Sequence, residues 1–224
     1  MKKRRKHITA LKILNKSGFE PNPGLIEFAK KSNYYIIEDI VIDGDAPKDF
    51  INYYHYGEGR KNNHRKWPKF IAKFGHKYYP MESITEQLLT RIGEVLGFNM
   101  AKSKLSHLGG QIRFLSKYFK KESDVLDHGA DLYAGYLQDK DFVEEIESHN
   151  KSHEFFDIQF TKKVIQHFYP NEKNNILKDF FDLLFFDAIV GNNDRHFYNW
   201  AIIHSEKKNA IFSPLPLLLI ETLL

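Results

Sequence analysis

The sequence predicts an α+β protein built as a sheet-rich N-terminal lobe followed by a helical C-terminal lobe. Three observations carry this. Short runs of β-branched and aromatic residues, interrupted by one amphipathic helical pattern, fill the first half of the chain. From Asp124 onward the patterning is mainly helical. A polar loop then joins the most apolar helix to a hairpin pattern. Strands first and helices second belong to segregated layers rather than to repeating βαβ units. The expected division is a lobe at residues 1–118 and a second at 119–224, with a cleft between them.

The elements follow in order. Asn22-Pro23-Gly24 breaks the chain, and LIEFAKKS reads as a short helix. NYYIIEDIVI reads as a strand. KFIAKFG, Lys69 to Gly75, is another, whose alternation sets Ile71 and Lys73 on one face. SITEQLLTRIGEVLGF is the clearest helix. Ser83 is a good N-cap, Glu86 sits three residues on, and Leu88, Leu89, Ile92, Val95 and Leu96 form an apolar stripe. Gly97 can end it. GGQIRFLSKYF enters a strand after a glycine turn. NNILKDFFDLLFFDAIVG is a helix apolar almost all round, hence buried, with Phe180 to Phe186 in the core and Gly191 as its stop. NWAIIHSEKKNAIFSPL forms two short strands in a hairpin.

Composition limits the function. The 224 residues, 42% of them hydrophobic, suffice for two small lobes around a core. Cysteine is absent, which excludes disulfides and thiolate metal sites. The net charge of +4 is modest but clustered, in MKKRRKH at the start and in RKNNHRKWPK, Arg60 to Lys69. The first cluster reads as a solvated arm, the other reading being contact with nucleic acid or an acidic partner. ITALKILNKSG is short and broken by Lys12, so no secretory signal is expected. SPLPLLLIETLL is too short to span a bilayer. A cytoplasmic protein without a membrane partner is expected; any export would be non-classical.

The chemistry concentrates in GNNDRHFYN, where Asn192, Asn193, Asp194, Arg195, His196 and Asn199 crowd one turn. Asp and Asn favour caps and Asx-turns, which is the purely structural reading. The functional reading rests on spacing. Asp194 precedes Asn199 by five positions, the step of the H-R-D-x-x-x-x-N loop of protein kinases. There the acid accepts the proton of the attacking hydroxyl and the amide holds magnesium against the ATP phosphates. Arg195 and His196 could neutralise developing charge or brace the loop. Lys73 lies inside an apolar strand, where an unpaired ammonium is costly, and Glu86 on the next helix can reach back to it. The competing role of Glu86 is a capping box with Ser83; the two geometries exclude each other. Upstream, Gly57, Gly59 and Lys61 fit either a phosphate-covering turn or a solvated basic loop.

Together these residues resemble the HipA-like serine/threonine kinases. The motifs are G-N-x-D-x-H-x-x-N, here Gly191, Asn192, Asp194, His196 and Asn199, and Glu86 followed eleven residues later by Gly97, with Lys73 upstream. The resemblance covers roughly Ile71 to Leu215. It implies a bilobed protein-kinase-like fold, ATP and Mg2+ as cofactors, and phosphoryl transfer to Ser or Thr of a protein substrate, itself included. By matching position Asp194 would be the base, Asn199 a metal ligand, Lys73 the ATP-phosphate ligand and Glu86 its positioning partner. Adenine would lie near Lys117, Tyr118 and Phe119, bound mostly through backbone groups.

One departure weighs against activity. After the hairpin the family reads S-P-L-Y-D, whose Asp is the second metal ligand; this chain reads Ser213-Pro214-Leu215-Pro216-Leu217 and stops seven residues later. The C-terminal lobe is therefore expected to be incomplete, as after truncation or a frameshift. Magnesium prefers carboxylate oxygens, and losing one such electrostatic group costs about 3–4 kcal/mol at the transition state. The alternative is a pseudokinase or fragment acting as an interaction module. A nuclease or nucleic-acid-binding reading lacks paired carboxylates for a two-metal site and has too little charge.

Overall fold

Six strands form the larger sheet in the order β1-β5-β6-β4-β3-β2. They are β1 (Ile26–Phe28), β2 (Tyr34–Ile36), β3 (Lys48–Tyr53), β4 (Lys69–Phe74), β5 (Ser103–Leu108) and β6 (Gln111–Lys117). Neighbours are antiparallel except β1 and β5, which run parallel. The structure is a computed structural model and describes residues 26–37, 48–55, 60–121, 123–149, 151, 157–193, 195–205 and 210–212. Helix α1 (Met81–Val95) joins β4 to β5. The smaller sheet, β7 (Asp124–His128), β8 (Ala201–Ser205) and β9 (Ala210–Phe212), accompanies α2 (Gly129–Leu137), α3 (Phe142–Ser148), α4 (Ile158–Phe168) and α5 (Lys173–Val190). The architecture is mixed α+β, as expected. Among the described residues no helix is long and apolar enough to cross a membrane.

β4 is buried on both faces because its alternation serves two cores. Phe70 and Ala72 join Ile51, Tyr53, Leu108 and Leu115 on one side. Ile71 joins Phe50 and Ala101 on the other, the face shared by Lys73. The largest core lies among α2 to α5 and β8, around Tyr133, Phe180, Phe186, Phe197 and Trp200. Leu89 and Ile92 of α1 pack against that same core, which ties the helix after β4 to the lower half.

Several expectations need correction. LIEFAKKS is not a helix: Ile26 to Phe28 pair with Leu105 to His107, and Lys104 draws in the Glu27 carboxylate at 2.8 Å. A free strand edge outweighs weak helical propensity in so short a segment. The NYYIIEDIVI strand is described only over Tyr34–Ile36; its later part lies outside the described residues. The region after Asp124 opens with a strand, not a helix, because Asp124 to His128 pair with Ala201 to Ser205. The α1 stripe divides: Leu89 and Ile92 pack inward, whereas Leu88, Val95 and Leu96 are exposed, Val95 by 86%. Its fully buried residues are Ser83, Gln87, Thr90 and Gly93. The Phe180 to Phe186 run divides likewise. Phe180 and Phe186 are core, while Phe181 and Phe185 face outward, since the lower core occupies only one side of α5.

Gly129, at the start of α2, marks a close approach of the chain to a rigid ring. Its N–H donates to Trp200 O at 2.9 Å, and a Cβ there would run into the Trp200 indole and lie 2.6 Å from Phe197 O. Gly129→Ala is expected to lower stability by about 1–3 kcal/mol through overpacking, read as a lower urea midpoint at unchanged slope.

Candidate active site

The larger sheet brings two ammonium groups to one spot. Lys48 of β3 stands opposite Lys73 of β4, and directly opposed residues of an antiparallel pair share a face with Cβ atoms about 5 Å apart. Phe114 of β6 flanks Lys73 on its other side. An ammonium in such surroundings requires compensation. Lys73 Nζ donates to Glu86 Oε1 at 2.7 Å, with Lys73 only 6% exposed. Helix α1 starts at Met81 with Pro80 as N-cap and no capping side chain. Ser83 thus lies within the first turn, its hydroxyl donating to Ile112 O at 3.5 Å. The ion pair, and not the capping box, is the role Glu86 adopts. Lys48 escapes a reading of the sequence; the available signal was a lysine right after the breaker Gly44-Asp45-Ala46-Pro47, at the mouth of a strand.

β6 ends at Lys117, and the chain passes on through Tyr118 and Phe119. Tyr118 N donates to Lys69 O at 2.9 Å, and its ring meets Phe50 edge-on with centroids 4.8 Å apart. Tyr118 and Phe119 pack against Phe50, Ile71 and Ala101, giving an apolar surface on the Lys73 face of the sheet. Lys117 stands opposite Phe70, so its side chain lies on the other face. Burial, and then the Asp124 carboxylate, push the Tyr118 phenol up, which keeps it a hydrogen-bond donor.

The polar loop is held from beneath by a residue that sequence reasoning missed. Asp187 lies in the last turn of α5 and is 5% exposed. A carboxylate there opposes the helix dipole and, once buried, needs a cation. Arg195 grips it in bidentate fashion, Nε to Oδ2 at 2.8 Å and Nη2 to Oδ1 at 2.9 Å. Asn192 Nδ2 donates to the same Oδ1 at 2.9 Å. Gly191, in the left-handed conformation at φ 72°, lets its own N–H turn back to Asp187 O. Arg195 Nη1 donates to Asn199 O. One buried guanidinium therefore ties the end of α5 to the turn that carries Asn199. Of the two roles open to Arg195, the brace is the one it adopts. The signal for Asp187 was an acid in the last turn of an apolar helix, eight residues before an arginine.

Asn199 ends a 3₁₀ turn, Phe197–Asn199, and is 5% exposed. His196 precedes it, and its carbonyl accepts from Asn199 N at 3.1 Å. Lys73 and Glu86 thus form one cluster, and Asp187, Arg195, His196 and Asn199 another. Asp194, Gly57, Gly59 and Leu217 lie outside the described residues. The described ends of the connection that carries Gly57 and Gly59 meet through Tyr53 N and Pro68 O at 2.9 Å. That junction is at the Lys69 end of the strand pair, with Lys73 at the other. Among the described residues no group of three or more His, Asp or Glu side chains is placed to hold a metal.

A sheet whose buried lysine is paired with a helix glutamate, above a helical core that carries a polar loop before a hairpin, defines the bilobed kinase-like class. A family model described as the HipA-like C-terminal domain matches residues 40–215, and the chain belongs to that family. It is similar to the crystal structure of a Helicobacter pylori proinflammatory kinase, CtkA, with a TM-score of 0.59 and 19% identity. That likeness covers 84% of this chain and 58% of the other, so the chain spans less than two thirds of that kinase's length. No curated protein matches the sequence.

Proposed function

We infer that this is a serine/threonine protein kinase of HipA-like type, built as lobes 1–118 and 119–224, which transfers the ATP γ-phosphoryl group to protein Ser or Thr, its own included. The observation that carries this reading is the buried Lys73–Glu86 pair at 2.7 Å, since a carboxylate held against a strand lysine aims that ammonium at one place. Lys73, with Lys48 beside it, would grip the triphosphate; adenine would rest on the apolar surface of Phe50, Ile71, Tyr118 and Phe119. Asp194 would take the proton of the attacking hydroxyl on its carboxylate oxygen, with His196 beside it in the loop. Asn199 would present its amide oxygen to the metal.

The donors on this chain suit a magnesium ion carried in by ATP more than a resident one. Magnesium binds through one or two protein oxygens plus substrate phosphates, and here the protein oxygen would be the amide oxygen of Asn199. When bound, the ion neutralises charge on the phosphates.

The test is incubation with labelled ATP. The protein should bind ATP in a magnesium-dependent way and transfer label; absence of both in a folded sample rejects the reading. Asp194→Asn should abolish labelling with the unfolding midpoint unchanged, and Lys48→Ala should weaken ATP binding about tenfold, one charge-assisted contact. Leu217, where the family carries Asp, favours a second reading, a pseudokinase or interaction module. Nucleotide binding without transfer would select it.

A further inference from the structure

The basic stretch that opens at Arg60 takes no part in the site described above, yet it belongs to a larger arrangement. Lys102 precedes β5, Lys117 ends β6 and Lys69 opens β4. Backbone bonds from Lys117 N to Lys102 O, 2.8 Å, and from Tyr118 N to Lys69 O, 2.9 Å, bring these three to one end of the sheet, with Lys69 on the face of Lys73 and Lys117 on the opposite face. Adjacent strands are about 4.8 Å apart, so the row extends about 10 Å. The β3–β4 connection continues it with Arg60, Lys61, Arg65 and Lys66, all exposed.

The described part of that connection, Arg60 to Trp67, is pinned. Trp67 is buried and its Nε1 donates to Arg60 O at 3.1 Å. Asn63 N also donates to Arg60 O at 3.0 Å, and Lys66 N to Asn63 O at 3.1 Å. The described ion pairs of this sheet engage other cations, Lys73, Lys104 and Arg113. Among the described residues none of the seven in the row shares a carboxylate. Like charges gathered on a fixed frame repel one another and build a positive potential that an anionic chain relieves.

We propose that this end of the sheet is a docking surface for an acidic polypeptide segment, carried by the protein substrate of the kinase proposed above. The rings beside the row argue for polypeptide over nucleic acid. Trp67 is buried and Tyr54 leans against it with centroids 5.4 Å apart, whereas binding of single-stranded nucleic acid uses ring faces open to bases. Lys69 and Lys73 are four residues apart on one strand, about 13 Å. A segment docked on the row thus lies within a short chain length of the phosphoryl site. The substrate assignment rests on the kinase reading; the docking itself does not.

The experiment measures binding of a labelled oligoglutamate peptide by fluorescence anisotropy, with a labelled oligothymidylate in parallel, over a salt series. Oligoglutamate should bind, weaken with salt, and lose about tenfold or more in an Arg60→Glu, Arg65→Glu, Lys66→Glu triple variant, with ATP affinity and unfolding midpoint unchanged. No oligoglutamate binding, or equal binding to the variant, overturns the proposal. Tighter binding of oligothymidylate overturns the polypeptide assignment. For a serine peptide bearing a glutamate run, the variant should raise KM and leave kcat alone. If ATP is bound by neither form, the kinase reading fails and the anisotropy result still decides the docking surface.

Discussion

Replacing Asp187 with Ala is expected to destabilise the protein by about 3–5 kcal/mol, the cost of leaving a buried charge without its partner. The carboxylate accepts two bonds from Arg195 and one from Asn192, and its removal strands a guanidinium whose side chain is 9% exposed. The desolvation of Arg195 is then uncompensated, and water can reach it only by opening the loop. Urea unfolding followed by circular dichroism measures the loss. Pairing Asp187→Leu with Arg195→Met, which removes both charges, should restore much of it, because apolar replacement of a buried pair is often neutral or better. A single-variant loss below about 1 kcal/mol would show that the pair contributes little. The double variant should nonetheless bind magnesium–ATP poorly, since the guanidinium link between Asn199 and α5 is then lost.

The second large effect is at Glu86. Glu86→Gln keeps the shape of the side chain and removes its charge, so Lys73 stays buried against a neutral amide. Charge-assisted hydrogen bonds contribute about 1.5–3 kcal/mol, which translates to roughly tenfold to hundredfold in ATP affinity or transfer rate. Titration with ATP and label transfer both read this. Glu86→Asp should be nearly as harmful, because a shorter arm cannot close the 2.7 Å contact without moving the helix. Unchanged ATP affinity in Glu86→Gln would sink the assignment of Lys73 as the phosphate ligand.

The readable parts of the sequence were those where local pattern and tertiary context agree. β4 and β6 carry alternations that their burial then uses, and α1, α5 and the β8–β9 hairpin stand where the local pattern sets them. The alternation that sets Ile71 and Lys73 on one face is obeyed, and so is the reach of Glu86 to Lys73. Where the sequence misled, long-range pairing was the cause. Ile26 to Phe28 become a strand because β5 offers an edge seventy-nine residues away, at Leu105 for Ile26, and no local signal announces such a partner. β7 fails for the same reason, its ladder lying on β8. The outward turn of Leu88 and Val95 was hidden because an apolar stripe shows that a helix has a greasy side, not which way it faces. Asp187 was hidden because its partner is a residue of the loop, and pairing across a turn leaves no periodic trace.

Helix α1 meets the sheet through Ser83 and Gln87, small and polar groups that surrender little hydrophobic free energy when displaced. Its directional ties there are few: Ser103 Oγ to Gln87 Oε1 at 3.2 Å, Ser83 Oγ to Ile112 O, and the lysine–glutamate contact. Such a face behaves as a smooth runner with one strong catch, so on its sheet side the helix is held by charge more than by packing. Neutralising either end of that catch should therefore loosen the helix on its sheet side, while Leu89 and Ile92 still hold it to the lower core.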